Sequence, residues 1–535
     1  MLFNSYSFVY MFLPVALAGY YLAVRFGRRP AIIWLALASL VFYGWWTPAF
    51  VPLLGISIAF NYAMSRLIGA SAKRPRLQSR VLLSAVAANL GALIYYKYAA
   101  WLIGLIDASQ WLGMHMQGIV LPLGISFFTF TQIGYLIDCR DGIAKDHDLL
   151  DYVAFVTFFP HLIAGPILHN GEMMPQYANP ATYRFDAVGF AVGLATFLIG
   201  MLKKCLLADP IGACVPIGYA HPADLSMVQA WQTVLSYSLQ LYFDFSGYSD
   251  MAVGLALMFN LRFPRNFNSP YKATSVVDYW QRWHMTLTRY FTQYIYNPLA
   301  MAAMRRRVAR RLPINRQAQM TVRGFTSMVG MPILVTIVLA GIWHGAGAQF
   351  IVFGLLHATY LIVNRACRIV WPRPAAIGRS GVVWRVALTY SCVLIASVFF
   401  RAPSVSAALT MLGAVMGQHG SGFAVLLPQE IADQTSGIIH AFGLQAQIQF
   451  VPWQVAAQSA VNVAWIAGLY CIVWALPNTQ QLFAAYHPVL DEVEAPHIAW
   501  LCWRPNRLWA VALGMAASLA AISIGGTGEF LYFQF

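Results

Sequence analysis

Charge is scarce in this sequence. Of its 535 residues only 10% are Asp, Glu, Lys or Arg and 59% are hydrophobic, whereas about a quarter of an ordinary soluble domain is charged. A soluble fold cannot hide so much apolar side chain, because it must still present a surface to water. A soluble enzyme and a disordered chain are therefore excluded. Cysteine is sparse as well. The seven, Cys139, Cys205, Cys214, Cys367, Cys392, Cys471 and Cys502, are scattered and form no CxxC, which argues against a disulfide scaffold and a zinc–thiolate site. There is no P-loop, no GxGxxG, no GxSxG elbow, no HExxH and no HxxxH, so nucleotide-driven transport, a Ser-His-Asp triad and a catalytic metal all lack support. What remains is a polytopic membrane protein. An aromatic share of 15%, with 17 Trp and 27 Tyr, suits many membrane–water interfaces.

Acid is the scarcer sign. The 34 Lys+Arg against 19 Asp+Glu leave a net charge of +15. No folded basic domain is visible, so nucleic acid is not expected as a partner. The excess fits cytoplasmic loops beside anionic membrane lipid. From Tyr279 to Gln429 there is no Asp or Glu, and the stretch holds 15 Arg and no Lys. Arg305, Arg306, Arg307, Arg310, Arg311, Arg316 and Arg323 crowd one part of it. Such a cluster anchors topology. It also suits docking of a phosphate-bearing donor, because arginine grips phosphate through a bidentate fork. Arg305, Arg306 and Arg307 are the donor-docking candidates.

The first apolar run begins at Met1 without a basic n-region or a cleavage site, and reads as a retained helix. Arg25, Arg28 and Arg29 follow it, and a second basic loop, Lys73-Arg74-Pro75-Arg76, lies two apolar runs later. Both loops belong on one side, which the positive-inside rule makes cytoplasmic, with the N-terminus outside. Further runs lie near 81–106, 119–137, 152–170, 186–207, 228–260, 327–343, 346–370, 383–400, 404–417, 456–476 and 507–525. A spanning helix needs about 20 residues, so the shorter runs read as re-entrant. The expected fold is an all-α, multi-pass domain over 1–535 with roughly 11–13 transmembrane helices. Residues 261–326 read as a basic cytoplasmic loop region, 418–455 as an external loop, and 526–535 as an aromatic tail. No internal repeat is visible, which speaks against an inverted-repeat transporter.

Polar groups inside apolar runs are costly and are functional candidates by default. His344, in LAGIWHGAGAQF, follows an uninterrupted apolar run, with Trp343 before it and Gly345, Ala346 and Gly347 after it. A neutral imidazole at such a depth can take a proton from a hydroxyl. His357 reads as structural. A second cluster spans 243–287. Asp244 and Asp250 interrupt an apolar run, then Asn266, Asn268, Asp278, Arg282 and His284 follow among Tyr279, Trp280 and Trp283. Asp278 and Arg282, spaced i, i+4, also suit a simple ion pair.

With these residues in view the chain resembles the membrane-bound O-acyltransferases (MBOAT), in the bacterial branch of alginate O-acetyltransferases and teichoic-acid D-alanyl transferases. The motifs are LPLGISFFTF at 121–130, FFPHLIAGPI at 158–167, LKKCLLAD at 202–209, FDFSGYSDMAVGLALMF at 243–259, the stretch RNFNSPYKATSVVDYWQRWHMTL from 265, and WHGAGAQFIVFGLLHA at 343–358. The family's usual Arg-Asp is replaced here by Thr292-Gln293, and His161 stands where a glutamine is usual.

The resemblance implies helices ringed around a central tunnel in the inner membrane. The catalytic histidine falls on His344 and the second motif histidine on His284. Asp278, Arg282, Asn266, Asn268 and Trp343, which stand beside these histidines in the sequence, are the substrate-positioning candidates. It implies a thioester co-substrate, acetyl-CoA or an acyl-carrier thioester, and no bound cofactor. The acceptor is a hydroxyl of an extracytoplasmic polysaccharide, reached directly or through a periplasmic acetyltransferase partner. D-alanyl transfer from a carrier protein is the alternative within the family, and a small-molecule transporter or channel is the alternative outside it. The sequence ends GEFLYFQF, and members of this branch often end in an aromatic tail with a tyrosine. Arg504 and Arg507 precede the last run, so this tail is expected outside, where Tyr532 is a candidate acyl carrier and the aromatics equally suit an anchor at the interface.

Overall fold

The computed structural model describes residues 1–106, 120–144, 148–371, 378–420, 425–429, 448–451, 453–524 and 530–531. The described chain is helical except for one pair of short parallel strands, Val425–Pro428 and Ile448–Val451. Among the described residues seven helices are long and apolar enough to cross a membrane, Ser7–Val24, Pro48–Ala70, Pro75–Lys97, Ala187–Gly212, Val322–His344, Ala348–Val370 and Arg379–Arg401, and three shorter apolar helices join them. This is fewer than the apolar runs suggest, because several runs are divided. The run near 81–106 breaks at Tyr98 into Pro75–Lys97 and Ala99–Ile106. The run near 152–170 gives only the short helices Leu149–Thr157 and Phe159–Leu162, with Pro160 at the start of the second and Gly165-Pro166 beyond its end.

The centre is one long helix, Met227–Met258. Its start is fixed by a capping box in which the Ser226 hydroxyl accepts from the Gln229 N–H and the Gln229 side chain accepts from the Ser226 N–H. From Tyr242 to Met258 every residue is buried, so this helix is surrounded by protein. Helix Ala187–Leu202 lies against it through two glycine pairs. A Cβ on Gly254 would sit 2.5 Å from the Gly193 carbonyl oxygen, and one on Gly247 would sit 2.7 Å from that of Gly200. Small residues at a helix crossing let backbones approach closely where lipid supplies no hydrophobic drive.

Charge is buried on this same helix only where it is paired. Asp244 meets Lys204 Nζ at 2.6 Å, Lys204 also meets Asp209 at 2.7 Å, and Asp250 meets Lys203 at 2.6 Å. Thr479 and Gln480 donate to the two oxygens of Asp250, each at 2.6 Å. The two aspartates therefore tie the central helix to 203–209 and to the chain near 479.

Residues 261–326 are only partly a loop: 261–275 are irregular apart from the short turn Pro270–Lys272, and the rest is largely helical. It folds into the helices Val276–Trp280, Met285–Phe291, Asn297–Ala309, Arg316–Met320 and Val322–Phe325. Caps explain several of the starts, with Ser275, Asn315 and Thr321 each accepting a backbone N–H of the first turn. Helices Met331–His344 and Ala348–Val370 then form a tight hairpin. A Cβ on Gly341 would lie 2.5 Å from the Phe350 carbonyl oxygen and 2.9 Å from the Gly354 Cα.

Candidate active site

His344 is the last residue of helix Met331–His344, and Gly345 after it is extended. The helix ends there because the tight hairpin turns through Gly345-Ala346-Gly347. The imidazole is buried and faces aromatic rings: Trp343 and Phe400 centroids each lie 4.9 Å away and Phe353 lies 6.1 Å away. The end of a helix leaves carbonyls without an intrahelical donor. Here the Tyr98 hydroxyl donates to the Ile342 carbonyl at 2.8 Å. Lys97 Nζ donates to the Trp343 carbonyl at 2.6 Å and to the His344 carbonyl at 3.1 Å.

His284 approaches from another element. It stands before helix Met285–Phe291 with φ 42° and ψ 53°, the left-handed region that a residue with a Cβ occupies only under constraint. Asn266 supplies that constraint. Its carbonyl accepts from the Met285 N–H at 2.9 Å, and its Oδ1 accepts from the Thr286 hydroxyl at 2.9 Å. Oδ1 also lies 3.0 Å from His284 Nδ1, while Asn266 Nδ2 donates to the Ser249 hydroxyl at 3.0 Å. An amide oxygen is an acceptor only, so Nδ1 carries the hydrogen and Nε2 keeps the lone pair. Burial pushes the His284 imidazole below its usual range and keeps it neutral.

The two histidines line one cavity of about 40 Å³, with Phe245, Trp283 and Phe400 among its walls. Trp343 bridges them, its ring 6.4 Å from that of His284. His344 also lines a second cavity, of about 110 Å³, walled by Leu121–Phe127, Ile163 and Lys97. One imidazole therefore borders two spaces built from different parts of the chain.

The structure brings His344, His284, Trp343 and Asn266 together. Asn268, Asp278 and Arg282 stand apart from the cavities. Arg282 Nε donates to Asp278 at 2.7 Å, and Arg282 Nη1 donates to the Asn268 carbonyl at 3.3 Å. Asn268 Oδ1 accepts from Asn478. These three brace the loop that carries His284. His357 lines the smaller cavity and accepts from Trp280 Nε1 at 3.3 Å. Arg306 and Arg307 line an outer cleft of about 1000 Å³ together with Arg310 and Arg323. Arg305 does not line it, because it turns to the other side of helix Asn297–Ala309. Tyr532 lies outside the described residues. Just before it, Phe530 and Leu531 are buried, and the Leu531 N–H donates to Asp244 at 3.1 Å. The Phe530 ring stacks on Tyr248 at 4.4 Å and lies 6.2 Å from Phe245, whose ring is 4.8 Å from His284.

Comparison with known proteins now bears on this geometry. The family model for MBOAT, the membrane-bound O-acyltransferase family, matches residues 126–312. The Probable alginate O-acetylase AlgI of Pseudomonas aeruginosa is 34% identical over 556 aligned positions that cover 100% of both chains. The chain belongs to the membrane-bound O-acyltransferase family. The Peptidoglycan O-acetyltransferase of Helicobacter pylori is 37% identical over 451 positions, covering 78% of this chain and 80% of that protein. The Teichoic acid D-alanyltransferase of Bacillus subtilis is 28% identical over 246 positions, covering 46% of this chain and 59% of that protein. This MBOAT protein is thus a multi-pass membrane O-acyltransferase, and the reading as a transporter or channel falls away.

Sequence reasoning passed over Lys97. Its signal was present: a single lysine inside the apolar run 81–106, where an ionisable group calls for a partner.

Proposed function

We propose that this protein moves an acetyl group from a cytoplasmic thioester to a hydroxyl of an extracytoplasmic polysaccharide. The observation that carries this reading is that His344 borders both cavities, so one base can serve an acceptor on one side and a donor on the other. Acetyl rather than D-alanyl is favoured because the acetylase relative aligns along the whole chain, whereas the D-alanyltransferase relative aligns over less than half.

The chemistry then runs as follows. His344 takes the proton of the acceptor hydroxyl as its oxygen attacks the thioester carbonyl carbon. The tetrahedral intermediate collapses, the carbon–sulfur bond breaks, and the sulfur leaves with the proton as a thiol. His284, held as one tautomer by Asn266, offers its Nε2 to orient the hydroxyl. The outer cleft receives the donor, acetyl-CoA or a carrier's phosphopantetheine, with Arg306 and Arg307 on its phosphates. The cleft then faces the cytoplasm of a bacterial inner membrane, and both termini lie outside. Tyr532 is the first acceptor and passes the acetyl on, to polymer or to a periplasmic acetyltransferase. The burial of Phe530 and Leu531 supports this, since the Phe530 ring lies 6.2 Å from Phe245, a wall of the His284 cavity.

The test uses the full chain in liposomes with radiolabelled acetyl-CoA. Thiol release with label on the protein, mapped by mass spectrometry to Tyr532, is expected. Tyr532→Phe keeps the ring and removes the nucleophile, so label should vanish. Polymer acetylation that survives in Tyr532→Phe would end the carrier role and leave direct transfer from His344.

A further inference from the structure

The acyl-transfer chemistry proposed above creates negative charge on the carbonyl oxygen, and something must receive it. In acyl transfer such preorganised electrostatic stabilisation is usually the largest single contribution. Neither histidine suits the task, since one is assigned as base and the other is held neutral with its Nδ1 hydrogen committed to Asn266. Among the described residues, Lys97 is the only lysine or arginine lining either cavity. Apart from His344 it is also the only ionisable side chain lining the larger one.

The position of Lys97 is fixed. It ends helix Pro75–Lys97, and its ammonium is held by the Trp343 and His344 carbonyls at 2.6 and 3.1 Å. The Trp343 ring centroid lies 5.6 Å from Nζ. An ammonium has three hydrogens, so two such contacts leave one donor for the cavity. The same contacts tie that donor to the residue that acts as base. The remaining walls of this cavity are apolar or backbone, apart from Ser126 and the Trp343 indole. Low dielectric cuts both ways: it disfavours a bare charge but leaves the field of a retained one little screened, and the two carbonyls that accept from Nζ are what favour the protonated form.

We propose that the Lys97 ammonium is a catalytic group: it binds the acyl carbonyl oxygen of the donor in the Leu121–Phe127 cavity and carries the oxyanion of the tetrahedral intermediate. The inference rests on the acyl-transfer reading of His344. Bonds balance as in that reading. The acceptor oxygen bonds to the carbonyl carbon, the C=O electron pair moves onto oxygen beside Lys97, and its return expels sulfur. Lys97 gives up no proton. The two cavities thereby divide the work, with the electrophile on the Lys97 side and the nucleophile on the His284 side.

The competing role is a helix cap alone. To separate the two, acetyl transfer from acetyl-CoA is followed with full-length protein in liposomes. Lys97→Met should lower kcat by about 10²–10³-fold, as for loss of one oxyanion donor, with KM for acetyl-CoA little changed. Lys97→Gln keeps N–H donors for the two carbonyls without the charge, and should show the same loss. It also serves if Lys97→Met does not fold. A second readout is affinity for a trifluoromethyl ketone thioether of coenzyme A, whose hydrate mimics the tetrahedral intermediate. Lys97→Gln should bind it about a hundredfold more weakly while binding coenzyme A as the wild type does. A Lys97→Gln variant with wild-type kcat and wild-type affinity for the ketone would overturn the catalytic role and leave only capping. Wild-type protein that releases no thiol from acetyl-CoA would instead overturn the acyl-transfer reading, and this inference with it.

Discussion

The two cavities that meet at His344 are built differently. The one on the His284 side is walled by rings, Phe245, Phe353 and Phe400 from three helices and Trp283 from the turn before His284. The one on the Lys97 side is walled by a single continuous segment, Leu121–Phe127, closed by Lys97 and Ile163. The first is held from behind by the buried ion pairs of the central helix. The second is held by the lysine itself, on the carbonyls that end the His344 helix. In the proposed reaction the ring-lined side admits the hydroxyl and the cationic side admits the thioester. The difference teaches that a side chain at a helix end can border two spaces with unlike walls.

The largest expected effect is on the support behind the ring-lined wall. Lys204→Met removes the partner of Asp244 and Asp209 together. Breaking a buried pair in this way costs about 3–5 kcal/mol. Thermal unfolding in detergent should show a large fall in midpoint, and a midpoint within a degree or two of wild type would show that these pairs do not hold the central helix.

A smaller effect, on rate alone, is expected at the histidine of that side. His284→Ala should lower kcat about a hundredfold, at the low end for proton-transfer groups, with the protein still folded. An equal loss in KM would place His284 in binding and blur the contrast between the cavities. Asn266→Ala should cost less, about tenfold in kcat. That corresponds to about 1.4 kcal/mol for lost hydrogen bonds to a buried imidazole. Its signature is a loss that His284→Ala does not enlarge, because both act through one ring.

The smallest effect is on the donor's approach. Charge reversal of Arg306 and Arg307 should raise KM for acetyl-CoA several-fold and leave kcat nearly unchanged, because the contacts are remote from the reacting carbonyl. Reversal of Arg305, outside the cleft, should do much less. Equal responses from Arg305 and Arg306 would mean that general surface charge, not the cleft, recruits the donor.

Much of this architecture was legible in the residues. His344 stands out because an uninterrupted apolar run ends on it and small residues follow. The central helix is visible as the run near 228–260, and its two aspartates announce buried partners. Other features were not legible, for physical reasons. Lys97 is conspicuous as a lone ionisable group inside the run 81–106, but nothing local shows that its partners are carbonyls some 246 residues away. The polar composition of 261–326 suggested a loop, although its helices are stabilised by caps that a hydropathy reading ignores. Adjacency alone groups Arg305 with Arg306 and Arg307. Helix periodicity separates them, since Arg306 and Arg310 are one turn apart and share a face. The cavities themselves arise from tertiary packing of residues far apart in sequence, and no local pattern encodes them.

The central claim is that His344 is the base shared by the two cavities. The most direct measurement is single-turnover acetyl transfer by His344→Ala, made alongside thermal unfolding of the same sample. The account predicts a rate lower by about 10²–10⁴-fold with an unfolding midpoint close to that of the wild type. A structural hydrogen bond between membrane helices is worth only about 0.6 kcal/mol, so a near-normal rate in the folded variant would contradict the account.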